Sequence, residues 1–365
     1  MKVCFVTSHT FSQPGGVKNH ILELSQEFKR RGIEVKIIVP RRKKEEDYGP
    51  EVILLGKSLP FYTGGSQGDL CFTFHPKEIK KFMEKEKFDI VHFHNFVIPF
   101  SWQILNRSKS INVLTFHSNL EAIPLLKLIL PVFSFCLNKL DGIIGVSSLT
   151  LDYFPHFKGK KALIPNGINL KEFNPNNPLI EKYKDGKINI LFVGRIEERK
   201  GLIYLLQAFK IIKEKQENTR LIVVGDGPLK KNCQDFVLEN KIKDVVFEGQ
   251  VTGEEVTRYF NTCDIFVSPA PFGESFGIVL LEAMASKKPI VGFANKGYLE
   301  LLKGTMGEQF LVEPKNIEAL AQKIEELIID EKLRERMGEW GLEHAQKYSW
   351  EKVADQILDF YQSLS

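Results

Sequence analysis

Paired cysteines, an acidic metal motif, a dinucleotide fingerprint and a membrane-length apolar run are all missing from this chain of 365 residues. The five cysteines, Cys4, Cys71, Cys136, Cys233 and Cys263, are scattered without Cys-x-x-Cys spacing. That pattern carries no metal site and suits reduced, structural thiols. There is no Asp-x-Asp pair and no His/Asp cluster of divalent-cation type, so neither a metal nor a cofactor is expected. The glycine pair after the first apolar run does not follow Gly-x-Gly-x-x-Gly order, which removes support for a dehydrogenase. The most apolar stretch, residues 123–137, is interrupted by Pro124, Lys127 and Pro131 and is too short to span a bilayer. Residues 1–7 run straight into a strand pattern without the apolar segment of a secretory signal, so a cytoplasmic protein is expected.

What is present is charge of both signs, unevenly divided. The net charge is only +4, yet residues 1–175 carry 24 Lys and Arg against 16 Asp and Glu, and the remainder 26 against 30. The basic half should face an anion or an anionic membrane surface. Lys77, Lys80, Lys81, Lys85 and Lys87 share a short helical segment with Ile79, Phe82 and Met83, a basic amphipathic pattern that suits a peripheral position on a membrane face. No nucleic-acid partner is implied.

The length favours two domains, and the periodicity divides the chain accordingly. Strand patterns at residues 3–7, 34–39, 90–93, 112–116 and 142–146 alternate with helical patterns such as 17–31 and 76–87. After the turn-rich segment Phe173-Asn174-Pro175-Asn176-Asn177-Pro178, strands recur at 188–193, 220–224, 245–248, 265–267 and 289–292. The fold class is therefore α/β, two Rossmann-like parallel-sheet domains facing a central cleft. The expected divisions are residues 1–172, residues 173–348, and a last helix within 349–365 that packs back on the first domain.

The densest signal runs through Glu274-Ser275-Phe276-Gly277-Ile278-Val279-Leu280-Leu281-Glu282. The apolar strand Ile265-Phe266-Val267 ends at Ser268-Pro269-Ala270-Pro271, where prolines stop pairing. A helix should start at the Ser-Phe-Gly triplet, so the backbone amides of residues 275–278 make a seat for a phosphate. Glu274 at the loop and Glu282 about two turns inside can each accept hydrogen bonds from hydroxyls. Two acceptors flanking an anion seat suit a nucleotide sugar.

Other motifs point the same way. Gly15 and Gly16 open a helix and allow close approach of a phosphate. Arg195 leaves the carboxyl end of the strand at 188–193 and Lys200 stands at the start of the next helix, so both can converge on one diphosphate and neutralise it without a metal. Gly225-Asp226-Gly227-Pro228 is a strand end, a tight turn and a helix start with a structural job. Phe247-Glu248-Gly249-Gln250-Val251 ends another strand on the same rim, where backbone groups can meet a base.

Taken together, Gly15-Gly16-Val17, Pro165-Asn166-Gly167-Ile168-Asn169, Gly194-Arg195 with Lys200-Gly201, Gly225-Asp226-Gly227-Pro228 and Glu274 through Glu282 resemble the retaining GT-B glycosyltransferases of family 4. The likeness covers nearly the whole chain. It is closest to the phosphatidylinositol mannosyltransferases through Gly273-Glu274-Ser275-Phe276-Gly277-Ile278-Val279, Val91-His92-Phe93-His94 and Thr115-Phe116-His117-Ser118. The resemblance implies transfer of a hexose, best read as mannose from GDP-mannose, to an acceptor hydroxyl of a membrane lipid such as an inositol phospholipid, with retention of configuration. It implies that Glu274 contacts the donor sugar, Glu282 the ribose, Arg195 and Lys200 the diphosphate, and Gly16 the phosphates. The surrounding Gly15, Ser275, Phe276, Gly277, Ile278 and Val251 complete the donor pocket. His117 would sit by the reacting centre, with Tyr62 and Thr63, together with Lys77, Lys80 and Lys81, on the acceptor or membrane side.

His92 and His94 are expected on opposite faces of their strand, with His92 in the core. Two departures stand out. Lys287 occupies a position that is usually glycine, and the loop from Tyr62 to Asp69 lacks the arginine expected shortly after it. Transfer from a UDP-sugar to a small soluble acceptor is the alternative within the class. A GT-B-like sugar-nucleotide epimerase and a silent nucleotide-sugar binding module are the alternatives outside it.

Overall fold

The computed structural model describes residues 1–12, 15–63, 66–72, 76–96, 100–119, 137–251 and 253–365. The chain divides into two compact units, Met1–Gly167 with Trp350–Ser365, and Ile168–Ser349.

In the first unit, β1 (Lys2–Thr7), β2 (Glu34–Arg41), β3 (Val52–Thr63), β4 (Ser66–Phe72), β5 (Ile90–His94), β6 (Ile111–Phe116), β7 (Gly142–Gly145) and β8 (Lys160–Leu163) form one sheet in the order β4-β3-β2-β1-β5-β6-β7-β8. All neighbours are parallel except β3 and β4. Because side chains alternate along a strand, β1 sends Val3 and Phe5 into one core and Cys4 and Val6 into another. The first core is closed by helix Gly16–Arg30, through Ile21, Leu24 and Phe28, and by the C-terminal helix Trp350–Leu364, through Val353, Ile357 and Tyr361. The second is closed by Ile79, Met83, Phe100 and Ile104. A sheet covered on both faces explains why its strands read as near-continuous apolar runs.

Helix Pro76–Glu86 corrects one expectation. Ile79 and Met83 are buried in the second core, with Phe82 packed against it. Its apolar side is spent inside the protein, so only the exposed Lys77, Lys80, Lys81 and Lys85 can address a membrane surface. Of the segment Tyr62 to Asp69, read as a loop, the described residues lie in two paired antiparallel strands: Tyr62 and Thr63 end β3 and pair with Gln67 and Ser66 of β4. Pro60 is tolerated because the β2 pairing of β3 ends at Lys57, leaving a side where a missing N–H costs nothing. Residues 64–65, and the apolar segment 123–137 apart from its last residue, lie outside the described residues. Among the described residues no helix is long and apolar enough to cross a membrane.

The second unit holds β9 (Ile188–Val193), β10 (Thr219–Val224), β11 (Val245–Gly249), β12 (Ile265–Ser268), β13 (Ile290–Phe293) and β14 (Leu311–Val312), all parallel, in the order β11-β10-β9-β12-β13-β14. This is the doubly wound order, and it reverses between β9 and β12. Ligands in such sheets bind outside the carboxyl ends of the strands at that reversal. Both strands end at the motifs singled out above.

Candidate active site

The loops leaving β9 and β12 are held together by glycines that no other residue could replace without displacing backbone. Gly201, at φ 69, has room for no Cβ, which would lie 2.1 Å from the carbonyl oxygen of Pro269. A Cβ on Gly225 would lie 1.9 Å from the Gly194 oxygen, and the loop after β10 is tied to that after β9 by Ile196 N–H to Asp226 O at 2.9 Å. The structural role expected for Gly225-Asp226-Gly227-Pro228 follows, except that the next helix starts only at Lys230, leaving Pro228 outside it.

At the rim these loops form, Glu274 is buried and its Oε1 accepts from Lys200 Nζ at 2.7 Å and Arg199 Nη1 at 3.3 Å. Burial alone would push the Glu274 carboxyl up, but the two cations outweigh it and hold it below the ordinary carboxylate range. Arg199 is itself positioned from behind: its Nη2 lies 2.9 Å from Oε1 of the buried Glu197. Arg195 faces the other oxygen of Glu197 at 3.4 Å, with its side chain 40% exposed. Lys200 and Arg195 thus address different carboxylates in this structure, and Arg195 is left open to solvent on one side. Arg199 and Glu197 were not singled out in the sequence. The tandem Arg199-Lys200 next to two glutamates was the available signal.

Beyond Glu274 the chain passes Ser275 and the buried Phe276, whose ring stands 5.8 Å from that of Tyr348. Gly277 is the N-cap of helix Ile278–Ala285 at φ 107, a left-handed conformation that glycine adopts without penalty. The helix starts later than expected. Its first turn begins at Ile278, so Glu282 lies one turn in, and the amides of Ser275 and Phe276 precede it. Their segment instead presses on Gly297, where a Cβ would meet the backbone carbonyl oxygen of Glu274 at 2.7 Å. Asn295 secures this contact: its Oδ1 accepts from the Tyr298 N–H and its Nδ2 donates to Ala270 O. Tyr298 completes it with a hydroxyl 2.6 Å from Ser268 Oγ.

Glu282 is partly buried, and its carboxyl is pushed up to about 7, first by burial and then by Glu172, with Lys200 opposing. Val251 lies two residues beyond β11. Its neighbour Glu248 is committed to a local network, accepting from Lys182 at 2.7 Å, from Tyr259 at 3.0 Å and from Tyr183.

The helix ends in a full left-handed cap despite the lack of glycine. Lys287 takes φ 60, its N–H bonds Met284 O at 2.9 Å, and the Lys288 N–H bonds Ala283 O at 2.9 Å. Those two bonds are the Schellman pair. Holding an L-residue with a Cβ in this region costs roughly 1–2 kcal/mol. Lys287→Gly should therefore raise the melting temperature by about 1–3 °C, net of the added freedom of glycine in the unfolded chain and of the lost ion pair with Glu339, and leave activity unchanged. Thermal denaturation of the two proteins checks this.

In the first unit, Gly15 is the N-cap of helix Gly16–Arg30 at φ 179, with nothing among the described residues within 4 Å of a Cβ built on it. Neither its backbone nor its packing against the described residues demands glycine. His117 follows β6 and is buried; its N–H donates to Asn95 Oδ1 at 2.8 Å, and its Nε2 lies 3.1 Å from His94 Nδ1. His20, on helix Gly16–Arg30, packs its ring 4.6 Å from that of His117. The placement of His92 and His94 on opposite faces is corrected: residues two apart share a face of a strand, and their ring centroids are 4.4 Å apart. His92 is in the core, between Tyr361 Oη and Thr115 Oγ1, each at 2.6 Å.

Two doubly wound units, with a buried carboxylate braced by two cations at the reversal of the second, have the form of a GT-B glycosyltransferase. Residues 14–172 match the family described as Glycosyltransferase Family 4, and residues 175–344 that described as Glycosyl transferases group 1. The chain is 30% identical over 378 residues to the phosphatidyl-myo-inositol mannosyltransferase of Mycobacterium leprae, spanning 100% of this chain and 97% of that protein. It superimposes on the sucrose-phosphate synthase of Thermosynechococcus elongatus with a TM-score of 0.79 at 22% identity, covering 100% and 98% of the two chains. The Anabaena protein HepE, solved with UDP and glucose, gives 0.76 at 18% identity with full coverage of both. The chain belongs to the family 4 glycosyltransferases.

Proposed function

We propose that this glycosyltransferase moves mannose from GDP-mannose to a hydroxyl of an inositol phospholipid, with retention of configuration and without a bound metal. The observation that carries the donor half is the Lys200–Glu274–Arg199 cluster at the sheet reversal, beside the exposed Arg195. A diphosphate placed there draws Arg195 and Lys200 to its oxygens, as planar fork and point charge, and they stabilise the charge that grows as it departs. Glu274 accepts hydrogen bonds from the sugar hydroxyls, and Glu282 from the ribose. Gly15 and Gly16 leave the start of their helix open to phosphate oxygens.

The acceptor hydroxyl attacks the face from which the diphosphate leaves, a phosphate oxygen takes its proton, and His117 stands by the reacting carbon. The relatives named phosphatidyl-myo-inositol mannosyltransferase favour the lipid and the mannose, and the UDP complex of the fold relative keeps a UDP-sugar as the second reading.

Melting-temperature shifts across GDP- and UDP-sugars test the donor. GDP-mannose should give the largest shift, and the shift and the transfer rate should survive EDTA. A shift confined to a UDP-sugar, or activity lost to EDTA and restored by Mg²⁺ or Mn²⁺, contradicts the reading.

The lysines of helix Pro76–Glu86 supply the membrane half by charge alone, each worth about 1 kcal/mol near an anionic surface and screened by salt. Sedimentation with phosphatidylinositol vesicles should exceed that with neutral vesicles and fall with salt and on changing Lys77, Lys80 and Lys81 to Ser. Equal, negligible pelleting would move the acceptor to a soluble molecule.

A further inference from the structure

We infer that His20, His94 and His117 form a binding site for one transition-metal ion of imidazole preference, with Zn²⁺ as the first choice. Each offers a ring nitrogen, and these atoms lie within 4.8 Å of one another; the contact of His117 Nε2 with His94 Nδ1 at 3.1 Å joins two of the three rings directly, and His117 would exchange it for the ion. They come from helix Gly16–Arg30, the end of β5 and the residue after β6, elements fixed by the two cores. His20 Nδ1 lies 3.0 Å from Asn166 Oδ1. An amide oxygen can only accept, so Nδ1 carries the proton and Nε2 keeps its lone pair. That Nε2 is buried with no hydrogen-bond partner among the described residues, and so is His94 Nε2.

Leaving a buried polar atom unsatisfied costs about 1–3 kcal/mol. Two such atoms in one histidine cluster leave it open to a ligand with affinity for imidazole. Burial keeps the rings neutral and ready to ligate: His20 is pushed down to about 4, His94 and His117 well below the usual range.

Three imidazoles, joined by no carboxylate or thiolate among the described residues, select Zn²⁺, Cu²⁺, Ni²⁺ or Co²⁺ over Mg²⁺ and Ca²⁺. Zinc–nitrogen bonds of about 2.0–2.1 Å place tetrahedral ligand atoms about 3.3 Å apart, a contraction that ring rotations can supply. The Asn166 oxygen is the outer partner that metal-bound histidines characteristically have. His92 takes no part, since Tyr361 and Thr115 occupy both its nitrogens. A metal there engages His117, so the transfer reaction should be inhibited by Zn²⁺ and indifferent to Mg²⁺. That consequence rests on the role given to His117 above, whereas binding does not.

The test titrates the full chain, stripped with chelator, with Zn²⁺ against a chromophoric competitor, and records the visible spectrum with Co²⁺. The expected result is one ion per chain and the intense bands of four-coordinate Co²⁺. His20→Gln and His94→Gln should abolish binding with their far-ultraviolet circular dichroism unchanged. Asn166→Ala should weaken it about 10–100-fold, and replacing the exposed His156 by Ala should change nothing. If the glutamine variants do not fold, the wild-type Co²⁺ spectrum and Asn166→Ala still decide. No stoichiometric binding by the wild type, undiminished affinity in folded His20→Gln, or loss only in His156→Ala overturns the site. Stoichiometric binding without inhibition supports the site and overturns the catalytic placement of His117.

Discussion

Lys200→Ala should lower turnover at saturating donor by about 10² or more, while the melting temperature falls by only a few degrees. The first half follows from removing a charge placed where the diphosphate oxygens gain theirs, since losing one such stabilising group usually costs 10²–10³ in kcat. The second half follows from the neighbour. Glu274 Oε1 keeps Arg199 at 3.3 Å when the 2.7 Å bond to Lys200 is lost, so the buried carboxylate is not stranded. Steady-state kinetics with thermal denaturation separates the two effects. Near wild-type kcat would remove Lys200 from the leaving-group role. A large rise in KM with unchanged kcat would reassign it to binding that does not change between ground and transition states.

Glu274→Gln should be costlier, because it harms activity and stability together. Turnover should again fall by about 10² or more, since an amide cannot match the acceptor strength of a carboxylate toward sugar hydroxyls. Stability should fall by about 3 kcal/mol, the low end for removing one partner of a buried pair, as Arg199 keeps Glu197 but Lys200 loses its anion.

The pH dependence gives an independent check. The carboxyl of Glu274 is held below its ordinary value in the folded protein, so the unfolded chain binds that proton more tightly. The contribution to stability is therefore full above the ordinary carboxylate range and lost as pH falls through the depressed folded value. Glu282 behaves oppositely. Its carboxyl is pushed up to about 7, so its protonated form favours the fold and its contribution declines as pH rises toward neutrality. Urea denaturation at a series of pH values should show the acid-side loss in the wild type and its reduction in Glu274→Gln. Superimposable curves would contradict the ion-pair account.

What could be read from the sequence were the elements buried on both faces. Runs such as Ile188 to Val193 and Ile265 to Val267 are apolar because no side of those strands meets water, and the loops after them announce the site through proline and glycine. The antiparallel pair of β3 and β4 escaped because Gly56 and Pro60 interrupt the pattern of a strand. The edge strand β8 escaped because its Lys160 and Lys161 are exposed.

At the site, that both Arg199 and Lys200 would reach Glu274, rather than Lys200 and Arg195 one diphosphate, depended on contacts 75 and 74 residues away and on Gly201 passing under Pro269, neither written in local spacing. Lys287 could be flagged as a missing glycine. Only the φ of 60 and its two cap bonds show that the left-handed turn survives with a lysine in it. The histidine cluster is similar. A correct count of the strand period puts His92 and His94 together, but bringing His20 and His117 to them takes the packing of a helix on the sheet.

The most direct measurement of the central claim is the product formed from GDP-mannose and phosphatidylinositol vesicles by the purified protein, with its anomeric configuration read by proton NMR. The account predicts mannosylated lipid whose anomeric linkage keeps the α-configuration of the donor, formed by the wild type and reduced about 10²-fold or more by Lys200→Ala. A β-linked product would contradict the same-face mechanism, and GDP-mannose left intact while a UDP-sugar is consumed would contradict the donor assignment.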